Sequence, residues 1–442
     1  MKQKLFLIIL FVGFAAGTIF GQNINKPKLD SLFNILADKN KAMGSLTISK
    51  NGTVLYRRAI GYSSITNDEK KPSTTLTKYR IGSITKMFTT TMIFQLIEEG
   101  KIKLTTTLDT YFPNIPNAKT ITISNLLNHR SGLHNFTNDP EYQRWMTQPK
   151  TQDEMLVLIS KNKVDFQPNE KAAYSNTNFV VLGYIIEKID RLAYSKSLEN
   201  RITSKIGLSN TYMGGKINLI KNECYSFQYV SNWIQAPETD MSIPGGAGSI
   251  VSNPTDLTRF IEALFSLKLV SQNSLNQMKT ITDGFGMGMI QFPFYTKKAF
   301  GHNGGIDGFV SNLSYFAEDS LAIAYCTNGQ AYPMNDILVG VLSTCFNKDY
   351  TVPTFKTILI KTEDLDKYMG VYSSTQIPIK ITITKDNATL IAQAPGQSSF
   401  RLDAAENDKF KFDAAGIMME FNPIKNQMTL KQGGGIFLFT KE

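Results

Sequence analysis

Apolar and polar positions alternate in short runs near both ends of the first 350 residues, and a block with helical spacing lies between them. Ser45 to Lys50 and Thr53 to Tyr62 alternate on either side of Asn51-Gly52, a dipeptide that readily supplies the left-handed residues of a tight hairpin. After Ser83, the positions Met87, Phe88, Ile93, Phe94 and Leu96 carry a helical pattern, and Gly100 is placed to stop it. From about Lys101 to Glu238 the chain reads mainly as helices and loops. The glycine-rich turn Pro244-Gly245-Gly246-Ala247-Gly248 leads to Ser252-Asn253-Pro254, which predicts a cap and first turn for a helix through Leu264. Strand alternation surrounds His302 and continues from Leu321 to Thr327. Strands at both ends with helices between them predict a sheet closed by sequence-distant strands, plus a helical insertion.

After Thr351 the character changes. Leu365 to Glu442 shows short alternating runs punctuated at Asp386-Asn387, Pro395-Gly396 and Gly433-Gly434-Gly435. This predicts a separate β domain, an antiparallel barrel or sandwich, with no catalytic constellation of its own. At the other end, Lys2 and Lys4 precede an almost wholly apolar run from Leu5 to Ala16. Residues 1–21 read as a secretory signal cleaved after Gly21, with an uncleaved anchor as the alternative. That run is shorter than a full span. The expected division is therefore a signal peptide (1–21), a main domain (22–350) and a C-terminal β domain (351–442), in a periplasmic or secreted protein whose mature body has no membrane span.

Composition narrows the function classes. A hydrophobic share of 42% with 19% charged residues is globular. The net charge of +10 is carried by scattered basic residues with no dense run, which reads as general solubility rather than a nucleic-acid surface. Cys224, Cys326 and Cys345 are too few for a disulfide framework, although an oxidising compartment would allow one pair. With only His129, His134 and His302, and no Cys/His cluster at metal-ligand spacing, no metal centre is expected, and the side-chain chemistry read from the motifs below needs no organic cofactor.

The candidate chemistry begins at Gly82-Ser83-Ile84-Thr85-Lys86. A Ser and a Lys three apart at a helix start share one face, where the helix dipole favours developing negative charge and an amine lies beside the hydroxyl. A second Ser-x-x-Lys, Ser160 to Lys163, follows an apolar run, so Ser160 falls near a helix end, at the wrong pole. Downstream come Tyr174-Ser175-Asn176, the only Tyr-x-Asn, and His302-Asn303-Gly304, the only His-x-Gly. These three motifs in this order, with the flanks Tyr79-Arg80-Ile81, Leu126-Leu127-Asn128-His129-Arg130-Ser131-Gly132-Leu133 and Gly301 to Gly305, resemble the penicillin-recognising serine hydrolases. Within that group the chain most resembles the class C β-lactamase and D-alanyl-D-alanine carboxypeptidase family, which also includes esterases and D-amino-acid peptidases. The resemblance runs from about Leu46 to Asn328. It implies an α/β (α+β) fold, an antiparallel sheet covered by helices beside an all-helical lobe, and a lipocalin-like C-terminal appendage.

On this reading Ser83 is the nucleophile, with an ordinary helix-capping serine as the bland alternative. Lys86 and Tyr174 are both candidate bases, and sequence does not choose between them. The resemblance gives Asn176 the substrate's acyl-side amide. His302 stands where many β-lactamases have lysine. It is expected to present a positive or hydrogen-bonding group to a substrate carboxylate, while Asn303 replaces a frequent hydroxyl residue. Gly304 and Gly305 leave the strand bare for substrate, and the N–H groups of Ser83 and Gly305 would form an oxyanion hole. His129 and His134 read as structural. D-alanyl peptides such as peptidoglycan stem peptides are the first expected substrates, then small esters, then β-lactams. The rival from another class is a non-catalytic cell-wall-binding or sensor protein. The oligomeric state is left open.

Overall fold

The structure, a computed structural model, describes residues 24–66, 69–230, 232–355, 360–395, 399–412, 415–432 and 435–442. The signal-like segment 1–21 lies outside them, as do Gly396, Gly433 and Gly434 of the two glycine turns.

The main sheet has eight strands. Six of them run in the spatial order Ile290–Phe294, Lys297–Ile306, Phe309–Phe316, Leu321–Gln330, Ala42–Lys50 and Thr53–Ile60. Each neighbouring pair is antiparallel. The closure predicted between distant strands is made by Ala42–Lys50 and Leu321–Gln330, with Leu46 opposite Tyr325 and Ile48 opposite Ile323. At the first hairpin Asn51 and Gly52 both adopt positive φ, 51° and 78°, which matches the twist of the flanking strands. The second strand stops at Ile60 rather than Tyr62. The chain turns at Gly61 (φ 72°), and Tyr62–Thr66 pairs separately with Glu69–Pro72.

Strand alternation divides the apolar residues between two cores. Ala322, Ala324 and Cys326 face the core built with the helices Thr85–Glu98, Asn176–Asp190 and Pro254–Phe265. Leu321, Ile323 and Tyr325 face the core built with Lys26–Asp38 and Met334–Cys345. The helix Pro254–Phe265 is capped as its sequence predicts, Asn253 Oδ1 accepting from Asp256 N–H at 2.9 Å. The segment expected to be helix and loop also contains the short strands Phe227–Tyr229 and Trp233–Gln235, which join the main sheet through Gly329. Cys224, Cys326 and Cys345 are buried, and none of the three is in a disulfide.

The C-terminal region is a closed antiparallel barrel of eight strands from Gly370–Ser373 to Gly435–Lys441. Pairing of Tyr372 with Lys441 joins the first strand to the last, which makes it a barrel and not a sandwich. Its interior is a third core, with Ile383, Leu390, Phe410, Met428 and Phe439. Among the described residues no helix is long and apolar enough to cross a membrane.

Candidate active site

Ser83 lies in a single 3-10 turn, Gly82–Ile84, between the short strand Tyr79–Arg80 and the helix Thr85–Glu98. The turn packs against the strand Lys297–Ile306, whose outer neighbour Ile290–Phe294 pairs only as far as Gly301. Two glycines permit this approach. Gly82 has φ 51°, and a Cβ there would sit 2.8 Å from Gly305 N. At Gly304 a Cβ would lie 2.0 Å from Ile81 O, the carbonyl that accepts from Ser311 Oγ at 2.9 Å. Gly304 is thus packed against the segment that leads into the Ser83 turn rather than bared to substrate, while Gly305 has open space at its Cβ position.

Ser83 Oγ is held between two groups. Lys86 Nζ is 3.0 Å away, and Tyr174 OH donates to Ser83 Oγ at 2.7 Å. The amine also donates to Asn176 Oδ1 and to Ala247 O, both at 2.8 Å. Asn176 is fixed in that orientation because its Nδ2 donates to Thr137 Oγ1 at 3.1 Å and its backbone N–H to Asn135 Oδ1 at 3.0 Å. Lys86 is fully buried, and burial holds its pKa well below the usual lysine value. A neutral amine has two N–H donors and one lone pair. Asn176 Oδ1 and Ala247 O can only accept, so in the neutral form they would take both donors and leave the lone pair for the Ser83 hydroxyl. Burial pushes the Tyr174 phenol up to about 12, the bond to Ser83 pulling the other way.

His302 is 5% exposed and its ring centroid lies 6.4 Å from that of Tyr174. Burial pushes its pKa down to about 4, with Lys86 adding to the effect and the Asn303 carbonyl opposing it. The imidazole is therefore neutral at pH 7, so of the positive or hydrogen-bonding group expected from the sequence it is the hydrogen-bonding one. Asn303 sits on the opposite strand face, its Oδ1 accepting from Asn312 Nδ2 at 2.8 Å. Above Ser83 opens a cleft of ≈ 390 Å³, lined by Ser83, Asn176 and Gly305 together with Phe136, Tyr142, Met146 and Asp307 among others.

Sequence reasoning missed several contributors. Ala247 belongs to the glycine-rich turn, singled out only as the lead-in to a helix. Arg80, within the Tyr79-Arg80-Ile81 flank, forms a buried ion pair with Asp307 at 2.9 Å and donates to Thr239 O and Gly215 O at 2.8 and 2.9 Å. Asp307 Oδ1 in turn accepts from Thr239 N–H at 3.0 Å and from its hydroxyl at 2.6 Å. Ser160, the rejected alternative, lies in the last turn of the helix Gln152–Lys161.

A Ser-Lys-Tyr constellation on an antiparallel sheet with a helical lobe defines a penicillin-recognising serine hydrolase. The chain belongs to the β-lactamase family, whose sequence profile (Beta-lactamase) matches residues 33–339. It is similar to penicillin-binding protein 4* of Bacillus subtilis (strain 168), 27% identical over 436 residues, 90% of this chain and 94% of that protein. It is also similar to the teichoic acid D-alanine hydrolase of Staphylococcus aureus (strain MRSA252), 25% identical over 330 residues, 72% of this chain and 77% of that one. Among solved structures, the D-amino acid amidase from Ochrobactrum anthropi SV3 in complex with L-phenylalanine amide aligns with a TM-score of 0.64 at 26% identity, covering 73% of this chain and 99% of that one. The octameric penicillin-binding protein homologue from Pyrococcus abyssi shares the fold, with a TM-score of 0.67 at 24% identity over 94% of this chain and 100% of that one.

Proposed function

We propose that Ser83 is the nucleophile of an acyl-enzyme mechanism on D-aminoacyl carbonyls, with Lys86 as its proton acceptor. The observation that carries this reading is the placement of Ser83 Oγ between the Lys86 amine at 3.0 Å and the Tyr174 hydroxyl at 2.7 Å. Ser83 Oγ attacks the carbonyl carbon and its proton passes to Lys86 Nζ. The oxyanion is held by the N–H groups of Ser83 and Gly305. The proton then passes through Tyr174 to the leaving oxygen or nitrogen as the carbonyl bond to it breaks. Water attacks the Ser83 ester by the same relay and releases the acid. Asn176, whose amide both orients Lys86 and lines the cleft, is placed to meet the substrate's acyl side.

The sequence put D-alanyl peptides first and small esters second; here D-alanyl esters and amides come first, supported by relatives whose names specify D-alanine and D-amino acid chemistry. Among the described residues that line the cleft there is no lysine or arginine, and His302 is neutral at pH 7. This favours D-alanyl esters and amides over peptides that end in a free D-alanine carboxylate. Penicillin acylation, the chemistry named in the relationship to penicillin-binding protein 4*, is the second reading. The basic and apolar start of the chain, residues 1–21, supports export to the periplasm or medium. The hydrolase occupies 22–350 and the β domain 351–442 in this reading.

The test is intact-mass spectrometry with peptide mapping after exposure to an activated D-alanyl ester and to a penicillin, alongside turnover of a D-alanyl ester, a D-alanine amide and an acylated D-Ala-D-Ala peptide. An adduct on Ser83 and faster turnover of the ester and amide support the proposal. No adduct, or an adduct on another residue, overturns the nucleophile. Preferential turnover of the free-carboxylate peptide overturns the substrate reading.

A further inference from the structure

His129 lies just after the short helix Ile123–Leu127, and the chemistry above makes no use of it. It is 2% exposed and has φ 59°, a left-handed conformation that His, Asn and Asp adopt more readily than most side chains. That backbone turn brings its carbonyl and its ring to one segment. Ala173 N–H donates to His129 O at 2.9 Å, and Ser175 N–H donates to His129 Nδ1 at 3.2 Å. The amides on both sides of Tyr174 are bonded to one residue. The imidazole also lies 4.6 Å from the Tyr174 ring, centroid to centroid, backed by Phe179 at 5.3 Å and Phe285 at 5.1 Å. A backbone N–H can only donate, so Nδ1 is an acceptor and the neutral ring carries its proton on Nε2. Asn178 Nδ2, 3.4 Å from Nδ1, is a second donor to the same lone pair.

We propose that His129 is a positioning residue for Tyr174, fixing the backbone on both sides of the tyrosine and one face of its ring so that the phenol stays on Ser83 Oγ. The inference rests on the reading of Tyr174 as part of the proton relay. A shift of about 1 Å in a reacting group can cost about 100-fold in rate, and Tyr174 itself reaches Ser83 through a single hydrogen bond of 2.7 Å. A residue that merely filled the core would pack against the ring but would have no reason to bond the two flanking amides.

The experiment is a double-mutant cycle on the full chain, measured as kcat and KM for an activated ester. His129→Phe keeps an aromatic ring and removes the Nδ1 acceptor. His129→Asn keeps an acceptor near the same place and tolerates the left-handed backbone, but removes the ring. In the otherwise native protein His129→Phe should lower kcat by about tenfold or more, with KM little changed and His129→Asn recovering part of the loss. In the Tyr174→Phe background the same change should alter kcat by less than about twofold, because the group being positioned is gone. Equal losses in the two backgrounds overturn the proposal, and so does an unchanged kcat in the folded His129→Phe protein. If His129→Phe does not fold, His129→Asn completes the cycle under the same criteria. A Tyr174→Phe protein with native kcat defeats the relay reading itself, which separates that failure from the failure of the positioning role.

Discussion

Arg80 and Asp307 meet in a buried ion pair at 2.9 Å, one just before the Ser83 turn and the other just after Gly305. The pair closes a loop of contacts around the proposed oxyanion site, with Thr239 bonded to both partners. Its value is geometric: it sets the separation of two backbone segments whose N–H groups must converge on one oxygen. Arg80→Met would leave the Asp307 carboxylate buried without its cation, and breaking a buried pair in this way costs about 3–5 kcal/mol. Denaturant unfolding should show that loss. Asp307→Asn keeps volume and an acceptor for Thr239, so a smaller stability loss is expected together with a fall in kcat. Native kcat in a folded Asp307→Asn protein would rule out the geometric role.

Ser83→Ala should remove acylation and several orders of magnitude of turnover while leaving the fold intact, as removal of a nucleophile from a coupled unit does. Lys86→Met should behave almost as severely, because the only lone pair directed at Ser83 is lost. Lys86→Met strands the buried acceptors Asn176 Oδ1 and Ala247 O but removes the penalty that burial places on the charged amine, so the melting temperature should fall only modestly. Burst kinetics with an activated ester check both. A Lys86→Met protein that acylates at the native rate would transfer the base role to Tyr174.

Much of this site was legible because its chemistry is local. Ser83 and Lys86 are one helical turn apart, and their Ser-x-x-Lys spacing can be read without a structure. The motifs at Tyr174 and His302 were legible as an order of segments, though not as distances. What escaped was non-local. The contacts of Lys86 with Asn176 and Ala247 join residues 90 and 161 positions apart, and no periodicity predicts them. Whether His302 would be a positive or only a hydrogen-bonding group stayed open, because sequence carries no burial. Gly304 and Gly305 looked equivalent, but only strand alternation against Ile81 separates them. In the fold, the closing strands and the β-rich C-terminal region were predicted from period-two patterning. Barrel closure was not separable from a sandwich, because it depends on where the last strand pairs.

His302 should leave kcat/KM without an inflection of its own between pH 5 and pH 8, since burial pushes it down to about 4. The corresponding stability effect has a definite sign. The unfolded imidazole titrates near 6.5, so between about 6.5 and 4 the unfolded state binds more protons and stability falls as pH is lowered. The full effect is about 3 kcal/mol, at 1.36 kcal/mol per unit of pKa. His302→Gln should flatten that part of the stability curve relative to the native protein. Unfolding free energies at pH 7 and pH 4.5 check it, and parallel curves would show that His302 is not buried as described.

His134 should act in the opposite sense. Burial pulls its imidazole down, but hydrogen bonds to Asp165 and Asp139, at 2.8 and 2.9 Å, outweigh burial and raise it. Its contribution is therefore full below the unfolded value of about 6.5 and is lost as pH rises through the raised folded value. His134→Gln should lower the melting temperature at pH 5.5 more than at pH 9. An equal difference at both pH values would mean that the two carboxylates do not hold a charged ring.

The barrel should be dispensable for turnover, but the cut must fall in the right place. Among the described residues none beyond Asp307 lines the cleft, and the barrel has a core of its own. Phe355 lies in the segment leading towards the barrel, yet it is 7% exposed and belongs to the core beneath the helix Met334–Cys345. Its ring meets Tyr332 edge-on at 4.9 Å. A chain ending after Val352 therefore loses a core aromatic as well as the barrel, and removing a buried Phe side chain costs about 3–5 kcal/mol. A chain ending after Phe355 keeps it. The expected result is near-native kcat for ester hydrolysis in both truncations at low temperature, with a clearly lower melting temperature for the shorter one. Calorimetry beside an ester assay separates the two effects. Loss of kcat in the longer truncation, shown to be folded, would mean that the barrel completes the active site.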